Sequence, residues 1–181
     1  MCSTICGADL GWSEQHVTAE SKIKDSGNRR QFESGAVRDI DTNKGRCDLL
    51  PLTAISELYP DNVKCIFLEI DRFIEGKEFR HLICAVALFC KLPGQNKSVS
   101  EQILDVSIHY RDGCEKYGER NWEKGLPIHS YMDSGIRHLL KYLDGQTDEN
   151  HGRAFVWNML CAVWTMQHMP KLFDIELPVR G

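Results

Sequence analysis

The chain has 181 residues, of which 42% are hydrophobic and 27% charged, ordinary values for a globular protein and enough for one well-cored domain. Its formal net charge of −4 argues against general affinity for nucleic acid or anionic membranes, although a basic pocket can exist locally. The N-terminus lacks a signal-peptide pattern and no run approaches the roughly 18 apolar residues of a membrane span, so we expect a cytoplasmic protein.

The first 47 residues form a leader rich in Gly, Ser, Asp, Asn, Lys and Arg. Its few apolar residues recur without helical periodicity, so we predict no stable helix before Pro51. Such a leader is either disordered or an ordered arm clamped onto the rest of the domain.

Eight cysteines raise the question of disulfides or zinc. Cys2 and Cys6 form the one close pair, and they lack the second pair that a zinc knuckle requires. Five others sit inside apolar helical patterns, where we predict buried, reduced thiols. These five are Cys65, Cys84, Cys90, Cys114 and Cys161.

Helices are predicted to follow one another from Pro51 onward. A short helix ends at Pro60, and a second begins after the "YPDN" turn, with Asp61 or Asn62 as its cap, and ends near Gly76. The apolar residues of this second helix recur at helical spacing and predict one buried face. That face comprises Val63, Ile66, Phe67, Ile70, Phe73 and Ile74.

Four further helices are predicted after these two. Apolar periodicity and Pro or Gly punctuation place them at residues 77–92, 98–117, 127–143 and 152–168. No segment alternates convincingly with the period of two that a half-buried strand requires. We therefore predict an all-α fold in which turns join the helices of an antiparallel bundle.

The helix at residues 98–117 carries a polar stripe. Ser98 and Glu101 have the spacing of a capping box at its start. At about 100° per residue, acids, an imidazole and a lysine lie roughly 120° around the helix from its apolar residues. The polar stripe is Asp105, His109, Asp112 and Lys116, and the apolar stripe is Ile103, Val106, Tyr110, Cys114 and Tyr117. Asp112 and Glu115, three residues apart, could hold one Mg²⁺ or Mn²⁺ ion; the alternative is a solvated face.

The last predicted helix offers a second group of polar side chains. Asp148, His151 and Asn158 share one face by the same arithmetic. Asp148 and Glu149 would also suit the positive N-terminal end of that helix, so simple capping is the alternative.

Between these helices, "SYMDSGIRHLLKYL" places Asp133, Arg137 and Lys141 at intervals of four residues. A pair of Asp133 with Arg137 is ordinary surface decoration, but a second cation beside Arg137 repels it unless an anion lies between them. A phosphate would serve, because Arg offers a planar fork and Lys a point charge.

The turn "DGCEKYGERNWEKG" at residues 112–125 holds more cations and aromatics than a turn needs. Trp122 or Tyr117 could stack on a base, and Asn121 or Asn158 could hydrogen-bond to its edge; buried aromatic packing is the alternative for Trp122. Carboxylates for a divalent metal, with Arg and Lys nearby, suit the hydrolysis of a phosphoanhydride.

Three phrases in the sequence recur in one known family. They are "FESGAVRDIDTNKGRCDLLP" at 32–51, "YRDGCEKYGERNWEKGLPIHSYMDSGIRHLLKYLDG" at 110–145 and "DENHGRAFVWNML" at 148–160. In these phrases the chain resembles the dATP/dGTP diphosphohydrolases of phages and bacteria, a family placed with the MazG-like all-α nucleotide pyrophosphohydrolases. The resemblance runs from about residue 29 to 169.

The resemblance implies an all-helical, oligomeric enzyme, a dimer or tetramer, that depends on Mg²⁺ or Mn²⁺. Such an enzyme converts a purine deoxynucleoside triphosphate to the monophosphate and pyrophosphate. In some phages, members of the family hydrolyse dGTP to supply dGMP for 2-aminoadenine nucleotides, which would place the protein in the host cytoplasm. Neither nucleic acid nor a membrane is implied as a partner.

Matching positions extend over the arm, the turn and the last two helices. Residues 35–39 and 44–48 match phrases of the family, which implies an ordered arm at 29–50 that contributes to a site. We accordingly expect a mobile leader at 1–28 and a single domain at 29–181. The other matching residues are Lys116, Tyr117, Gly118, Asn121, Trp122, Arg137, His138, Asp148, Glu149, His151, Trp157 and Asn158.

The chain also departs from the usual pattern of the family. MazG-like enzymes bind metal through an ExxE motif on one helix and an ExxD motif on the next, and neither motif occurs in the expected helices. Asp112 with Glu115, and Asp148 with His151, keep the spacing but not the residue types. Arg111 stands where a Glu is expected after the aromatic residue.

We therefore expect a metal-dependent dNTP diphosphohydrolase. The expected metal ligands are Asp105, Asp112, Glu115, Asp148 and His151, and Asp112, Glu115 and Lys116 are expected to take part in catalysis. The residues expected to bind the nucleotide are Arg38, Lys44, Arg46, Lys116, Tyr117, Asn121, Trp122, Lys124, Arg137, His138, Lys141 and Asn158.

Two other functions remain open at this point. One is a non-catalytic nucleotide-binding or helical interaction module that keeps the same fold. The other is a phosphomonoesterase or triphosphohydrolase with a helical metal site that draws on His81, His109, His138 and His151.

Overall fold

The structure, a computed structural model, describes residues 27–40 and 44–176. Residues 1–26 of the predicted mobile leader, with Cys2 and Cys6, lie outside the described residues. In chain order the helices are α1 (Leu52–Ser56), α2 (Asp61–Gly76), α3 (Arg80–Phe89), α4 (Val99–Tyr117), α5 (Ile128–Leu143) and α6 (His151–His168). Three short 3-10 helices lie at Cys47–Leu49, Asn121–Lys124 and Pro170–Leu172. The predicted all-α class is confirmed.

A small antiparallel hairpin, which the sequence analysis did not predict, precedes the helices. Strand β1 (Arg29–Gln31) pairs with β2 (Val37–Asp39), and Gly35 occupies the left-handed region of the turn at φ +80°. Each strand has three residues and β1 is exposed throughout, so no alternation of apolar and polar residues marks either strand.

Helix α2 buries the whole of its predicted face, from Val63 to Ile74. Pro60 occupies its N-cap position without a side-chain cap, so the predicted capping by Asp61 or Asn62 is wrong. The next helix begins at Arg80 and not at Lys77, because Lys77 adopts a left-handed conformation with φ 59° and ends α2.

Helices α5 and α6 pack along each other, and α6 also contacts α3 and α4. Twelve of the eighteen residues of α6 are buried, as expected of a central helix. Gly135 permits the close approach, because an added Cβ would collide with Met159 Cε on α6. This packing sets the first turn of α6 beside the C-terminal half of α5.

The predicted burial of five thiols is only partly right. Cys90 and Cys161 are buried, whereas Cys65, Cys84 and Cys114 are exposed and all five are free. The exposed ones lie within apolar segments but on helix faces that point to solvent. None of the helices in the described part of the chain has the length and apolarity needed to span a bilayer.

Candidate functional site

A cavity of about 960 Å³ opens between the hairpin, the C-terminal half of α4 and helix α5. This volume suits a small-molecule ligand, for which pockets of about 300–1,000 Å³ are usual. Of the residues expected to bind nucleotide, the cavity wall includes Arg38, Lys44, Arg46, Tyr117, Asn121, Trp122, Arg137, His138, Lys141 and Asn158, whereas Lys116 and Lys124 are not in it.

The cavity is basic although the chain is acidic. Its wall carries eight Arg or Lys side chains and five Asp or Glu side chains, against a net charge of −4 for the whole sequence. A concave surface of one sign concentrates ligands of the opposite sign. The arrangement therefore favours an anionic ligand.

Helix α4 turns its polar stripe toward the interior. His109 is 9% exposed and Asp112 8%, whereas Ile103 is 41% exposed. The alternative of a solvated polar face is therefore wrong for His109 and Asp112, and so is a buried position for Ile103. The polar face is inward because it meets the hairpin and α6, which offer it charged and aromatic partners.

The carboxylates of α4 have cationic neighbours. Asp112 Oδ1 accepts hydrogen bonds from Arg111 at 2.7 and 3.1 Å, and Arg153 NH2 lies 3.9 Å from Asp112 Oδ2. Asp105 pairs with Lys97, and the 65% exposed side chain of Glu115 lies 4.0 Å from Arg111.

These three carboxylates do not converge. None of them lines the cavity, and Asp112 faces inward while Glu115 faces solvent. The three-residue spacing of Asp112 and Glu115 thus does not bring their oxygens to one point in this structure.

Several residues expected to bind nucleotide hold the hairpin in place. Lys116 Nζ donates to Asp39 Oδ2 at 2.5 Å, and Tyr117 OH donates to Asp39 Oδ1 at 2.9 Å. Burial raises the pKa of Tyr117, so its hydroxyl stays protonated and donates. Asn121 accepts from Val37 N at 3.0 Å and donates to Val37 O at 2.9 Å, so both its amide atoms are engaged.

Arg38, on the hairpin, projects into the cavity wall. It donates to Ser130 O at 3.0 Å and to Asn158 Oδ1 at 3.1 Å, and Asn158 donates in turn to Ala154 O at 2.8 Å. Burial lowers the pKa of Arg38, although an arginine stays charged. Within residues 27–40 and 44–176, Arg38 makes no ion pair with a carboxylate.

Arg137 and Lys141 lie along the same wall. Arg137 NH2 donates to both oxygens of Asp133, at 2.6 and 2.7 Å, and to Gly45 O at 2.5 Å. Lys141 Nζ lies 3.4 Å from Asp148 Oδ2. The anion expected near Arg137 and Lys141 is thus partly supplied by the chain's own carboxylates.

The remaining cations of the arm are more exposed. Arg46 donates to both oxygens of Asp48, which raises the pKa of Arg46, and Lys44 is exposed at the cavity wall. Lys124 is exposed beside Gly35. These side chains lie where a highly charged ligand could reach beyond the cavity.

Aromatic side chains close one part of the wall. Trp122 lies edge-on to Tyr110 at 5.3 Å between ring centroids and to Trp164 at 5.2 Å. Trp157 lies 5.0 Å from the ring of His109. Trp122 thus packs against other aromatics and still lines the cavity.

Three possible metal ligands converge at the edge of the cavity, where His138 and Glu149 line its wall. His138 Nδ1 lies 3.0 Å from His151 Nδ1, and Glu149 Oε1 lies 3.4 Å from His138 Nδ1 and 3.6 Å from His151 Nδ1. We call His138, Glu149 and His151 the His–Glu–His cluster. Among the described residues, no other group of three or more His, Cys, Asp or Glu side chains meets the same spacing.

Asp148 hydrogen-bonds to His151 on the side of the imidazole ring that faces away from the cluster. Its Oδ1 lies 2.7 Å from His151 Nε2. A carboxylate accepts, so His151 Nε2 carries the proton and its Nδ1 presents a lone pair to the cluster. Asp148 therefore contacts His151 and not the point where the three ligand atoms meet.

Burial favours the neutral form of His138 and His109. Burial, followed by the neighbouring His151, lowers the pKa of His138 to about 2. Burial, followed by the charge of Arg153, lowers the pKa of His109 to about 3. A neutral imidazole is the form that binds a metal ion.

Sequence reasoning gave Glu149 no role beyond a helix end and a family match, and it placed His138 in nucleotide binding or, as an alternative, in a metal site formed by histidines. The available signal was the run Asp148, Glu149 and His151, which sets acid and imidazole side chains within four residues. That His138 completes the group depends on how α5 packs against α6. No sequence spacing reports that packing directly.

Residues 80–175 match a family model described as dATP/dGTP diphosphohydrolase, N-terminal. The matched segment is more than half of the chain and contains α3 to α6 with the whole His–Glu–His cluster. The hairpin that carries Arg38 lies outside it. No curated protein and no solved structure matches the chain.

Proposed function

Because the chain belongs to the dATP/dGTP diphosphohydrolase family, we propose that it hydrolyses dGTP or dATP to the monophosphate and pyrophosphate. We further propose that it uses a divalent cation, Mg²⁺ or Mn²⁺. One observation carries the proposal: the His–Glu–His cluster adjoins a basic cavity of nucleotide size.

His138, Glu149 and His151 would hold the cation. Two imidazole nitrogens and one carboxylate oxygen fit a divalent ion, and three protein ligands leave positions for substrate and water. When bound, the ion supplies Lewis acidity at the phosphate oxygens. This set shares only His151 with the ligands expected from the sequence; Asp148 acts by orienting His151.

The cations of the cavity wall would bind the triphosphate. Arg38 has no carboxylate partner among the described residues, and Arg137 and Lys141 lie on the neighbouring face of α5. Hydrolysis forms a bond from the α-phosphorus to a water oxygen and breaks the bond to the α–β bridging oxygen. Pyrophosphate then leaves with additional negative charge, which Arg and Lys stabilise.

Trp122 and Tyr117 would flank the base. Asn121 and Asn158 were expected to read its edge, but their amide groups are engaged with Val37, Ala154 and Arg38. We propose that these two asparagines position the hairpin and Arg38.

Product analysis tests the proposal. The protein is incubated with dGTP or dATP and Mn²⁺, and we expect the monophosphate and pyrophosphate in equal amounts. Glu149→Gln should abolish turnover, whereas Glu75→Gln, at an exposed site on α2, should not. Loss of turnover in Glu115→Gln with retention in Glu149→Gln would move the metal to α4. No hydrolysis, or diphosphate as the product, would contradict the proposal.

Two alternatives have specific support. The lack of the paired glutamate motifs and the cationic partners of the α4 carboxylates favour a non-catalytic nucleotide-binding module, which would bind dGTP without turnover. The His138–His151 pair favours a phosphomonoesterase or triphosphohydrolase, which would release inorganic phosphate or triphosphate.

We also propose a homo-oligomer, either a dimer or a tetramer, in the cytoplasm, which is the host's if the protein is phage-encoded. Exposed apolar side chains on α4, including Leu104 at 68%, support an interface between subunits. Light scattering on the purified protein measures the mass. A monomer at micromolar concentration would contradict this part of the proposal.

A further inference from the structure

We propose that the His–Glu–His cluster selects a transition-metal ion, such as Mn²⁺, Co²⁺ or Zn²⁺, over Mg²⁺ and Ca²⁺. The inference rests on the proposed function for the need for a divalent cation. It adds which chemical class of cation the site takes, and it can be tested without nucleotide.

The spacing of the three ligand atoms fits one ion. Bonds of about 2.0–2.2 Å from a metal to nitrogen or oxygen put neighbouring ligands about 2.8–3.1 Å apart in octahedral geometry and about 3.3–3.6 Å apart in tetrahedral geometry. The observed separations are 3.0, 3.4 and 3.6 Å between His138, Glu149 and His151. Little movement is therefore needed to close the three atoms around a cation.

Asp148 prepares His151 as a ligand. Because Asp148 Oδ1 accepts from His151 Nε2, the lone pair of His151 stays on Nδ1, which faces His138 and Glu149. A carboxylate on the far nitrogen also raises the basicity of a ligating imidazole. Lys141, 3.4 Å from Asp148 Oδ2, adds a second contact that holds this carboxylate.

Two of the three ligands lie on helices. His138 lies within α5, and His151 is the first residue of α6 and only 2% exposed. Glu149 lies two residues before His151, so one short segment supplies two ligands. A preformed, buried position limits the rearrangement that binding requires.

The donor types decide the selectivity. Mg²⁺ and Ca²⁺ prefer oxygen ligands, and Mg²⁺ retains several waters in octahedral geometry. Imidazole suits the transition metals, whose affinities at a given site rise from Mn²⁺ toward Co²⁺ and beyond. Two nitrogens among three protein ligands therefore disfavour Mg²⁺.

Calorimetric titration of the full chain with Zn²⁺, Co²⁺, Mn²⁺ and Mg²⁺ tests the selectivity. We expect one strong site, with Co²⁺ and Zn²⁺ bound on the order of 100-fold more tightly than Mg²⁺. The visible absorption of bound Co²⁺ supplies a second readout that reports nitrogen ligands directly. Equal affinity for Mg²⁺ and Co²⁺ would overturn the inference.

Substitutions test which residues form the metal site. Glu149→Gln and His138→Ala should each weaken Co²⁺ binding by at least about 100-fold, and Asp148→Asn by roughly 10- to 100-fold. His81→Ala is the matched control, because His81 also pairs with a glutamate, Glu69, at 2.7 Å but has no third ligand within the described part of the chain. Circular dichroism checks that each variant is folded, and Glu149→Gln preserves the side-chain shape.

The outcomes separate this inference from the proposed function. Unchanged Co²⁺ binding in folded Glu149→Gln and Asp148→Asn, or an equal loss in His81→Ala, would overturn the inference even if dGTP is hydrolysed. Loss of Co²⁺ binding only in the cluster variants supports it. That result would stand even if the protein fails to hydrolyse any nucleotide.

Discussion

Arg38 is a cationic residue of the cavity wall that hydrogen-bonds only to neutral groups among the described residues. Its guanidinium donates to Ser130 O and Asn158 Oδ1, both neutral acceptors, and the described residues give it no carboxylate. Taking a charge from water without a countercharge is unfavourable for folding. We therefore expect an anionic ligand to complete the surroundings of Arg38.

We expect Arg38→Met to weaken nucleotide binding without lowering the thermal stability of the protein. The substitution keeps much of the side-chain length and removes a desolvated charge, so thermal stability should stay level or rise. The affinity for dGTP should fall by roughly 10- to 100-fold, since a hydrogen bond to a charged group contributes about 1.5–3 kcal/mol. Thermal melts and nucleotide titrations of the same sample measure the two effects.

Arg72→Met is the control for Arg38→Met, because Arg72 is an exposed arginine on α2 that pairs with Glu69. It should leave nucleotide affinity unchanged. A loss of stability in Arg38→Met with unaltered binding would show that Arg38 serves the fold alone.

The hairpin is the element that brings Arg38 to α5 and α6. Besides the bonds that Arg38 itself makes to Ser130 and Asn158, three contacts hold the hairpin in place. They are Lys116 and Tyr117 on Asp39, Asn121 on Val37, and Ser34 Oγ on Gly125 O at 2.6 Å. The two strands alone are too short to be stable in water. These contacts therefore determine where the hairpin lies.

We expect Asn121→Ala to loosen the hairpin without unfolding the helices. Removing the amide leaves Val37 N and Val37 O without their side-chain partner, which costs about 1–3 kcal/mol. Hydrogen exchange should therefore accelerate across residues 29–40 and stay unchanged in α5 and α6. Nucleotide affinity should fall because Arg38 moves with the hairpin.

Asn62→Ala, an exposed position in the first turn of α2, is the matched control for Asn121→Ala. Its exchange pattern should equal that of the unaltered protein. If the Asn121→Ala variant protects residues 29–40 as well as the unaltered protein does, the remaining contacts of the hairpin are sufficient to hold it.

The elements differ in how far the sequence predicts them, for a physical reason. Helix α2 was predictable because one face is apolar and the other polar, so periodicity alone orients it. The extent of α4 and its capping box were predicted, but its orientation was not, because its inward face carries His109 and Asp112, whose burial depends on partners from other elements. The hairpin escaped prediction because three-residue strands show no pattern.

The sequence predicted many residues of the cavity wall but not the contacts among them. Residue type and spacing pointed to the segments that form the cavity wall, including Arg137 and Trp122. They could not show that Asn121 bonds to Val37, nor that His138 meets Glu149, since these contacts join residues far apart in the chain or on different helices.

At the scale of the whole molecule, charged and polar groups are concentrated where α4, α6 and the hairpin meet. His109 on α4 is surrounded by the charges of Arg153 on α6, Arg38 on the hairpin and Asp112 on its own helix. The two cations and burial together outweigh the carboxylate, so His109 stays neutral. The stability of the folded protein should therefore depend on pH through His109.

Acid should destabilise the protein through His109. An imidazole in the unfolded chain has a pKa of about 6.5, whereas the pKa of His109 in the folded protein is lowered to about 3. Between these values the unfolded chain binds a proton that the folded chain does not. The contribution of His109 to the free energy of unfolding is therefore constant above about pH 6.5. Between about pH 6.5 and pH 3 it falls by about 1.4 kcal/mol for each unit by which the pH decreases.

We expect His109→Gln to remove this part of the pH dependence. Urea unfolding at pH 7 and pH 5 gives the loss of free energy of unfolding, which should be smaller in the variant by roughly 2 kcal/mol. His168→Gln, at the exposed end of α6, should retain the full loss. Since glutamine does not titrate, an equal loss in His109→Gln would mean that His109 is not held neutral in the folded protein.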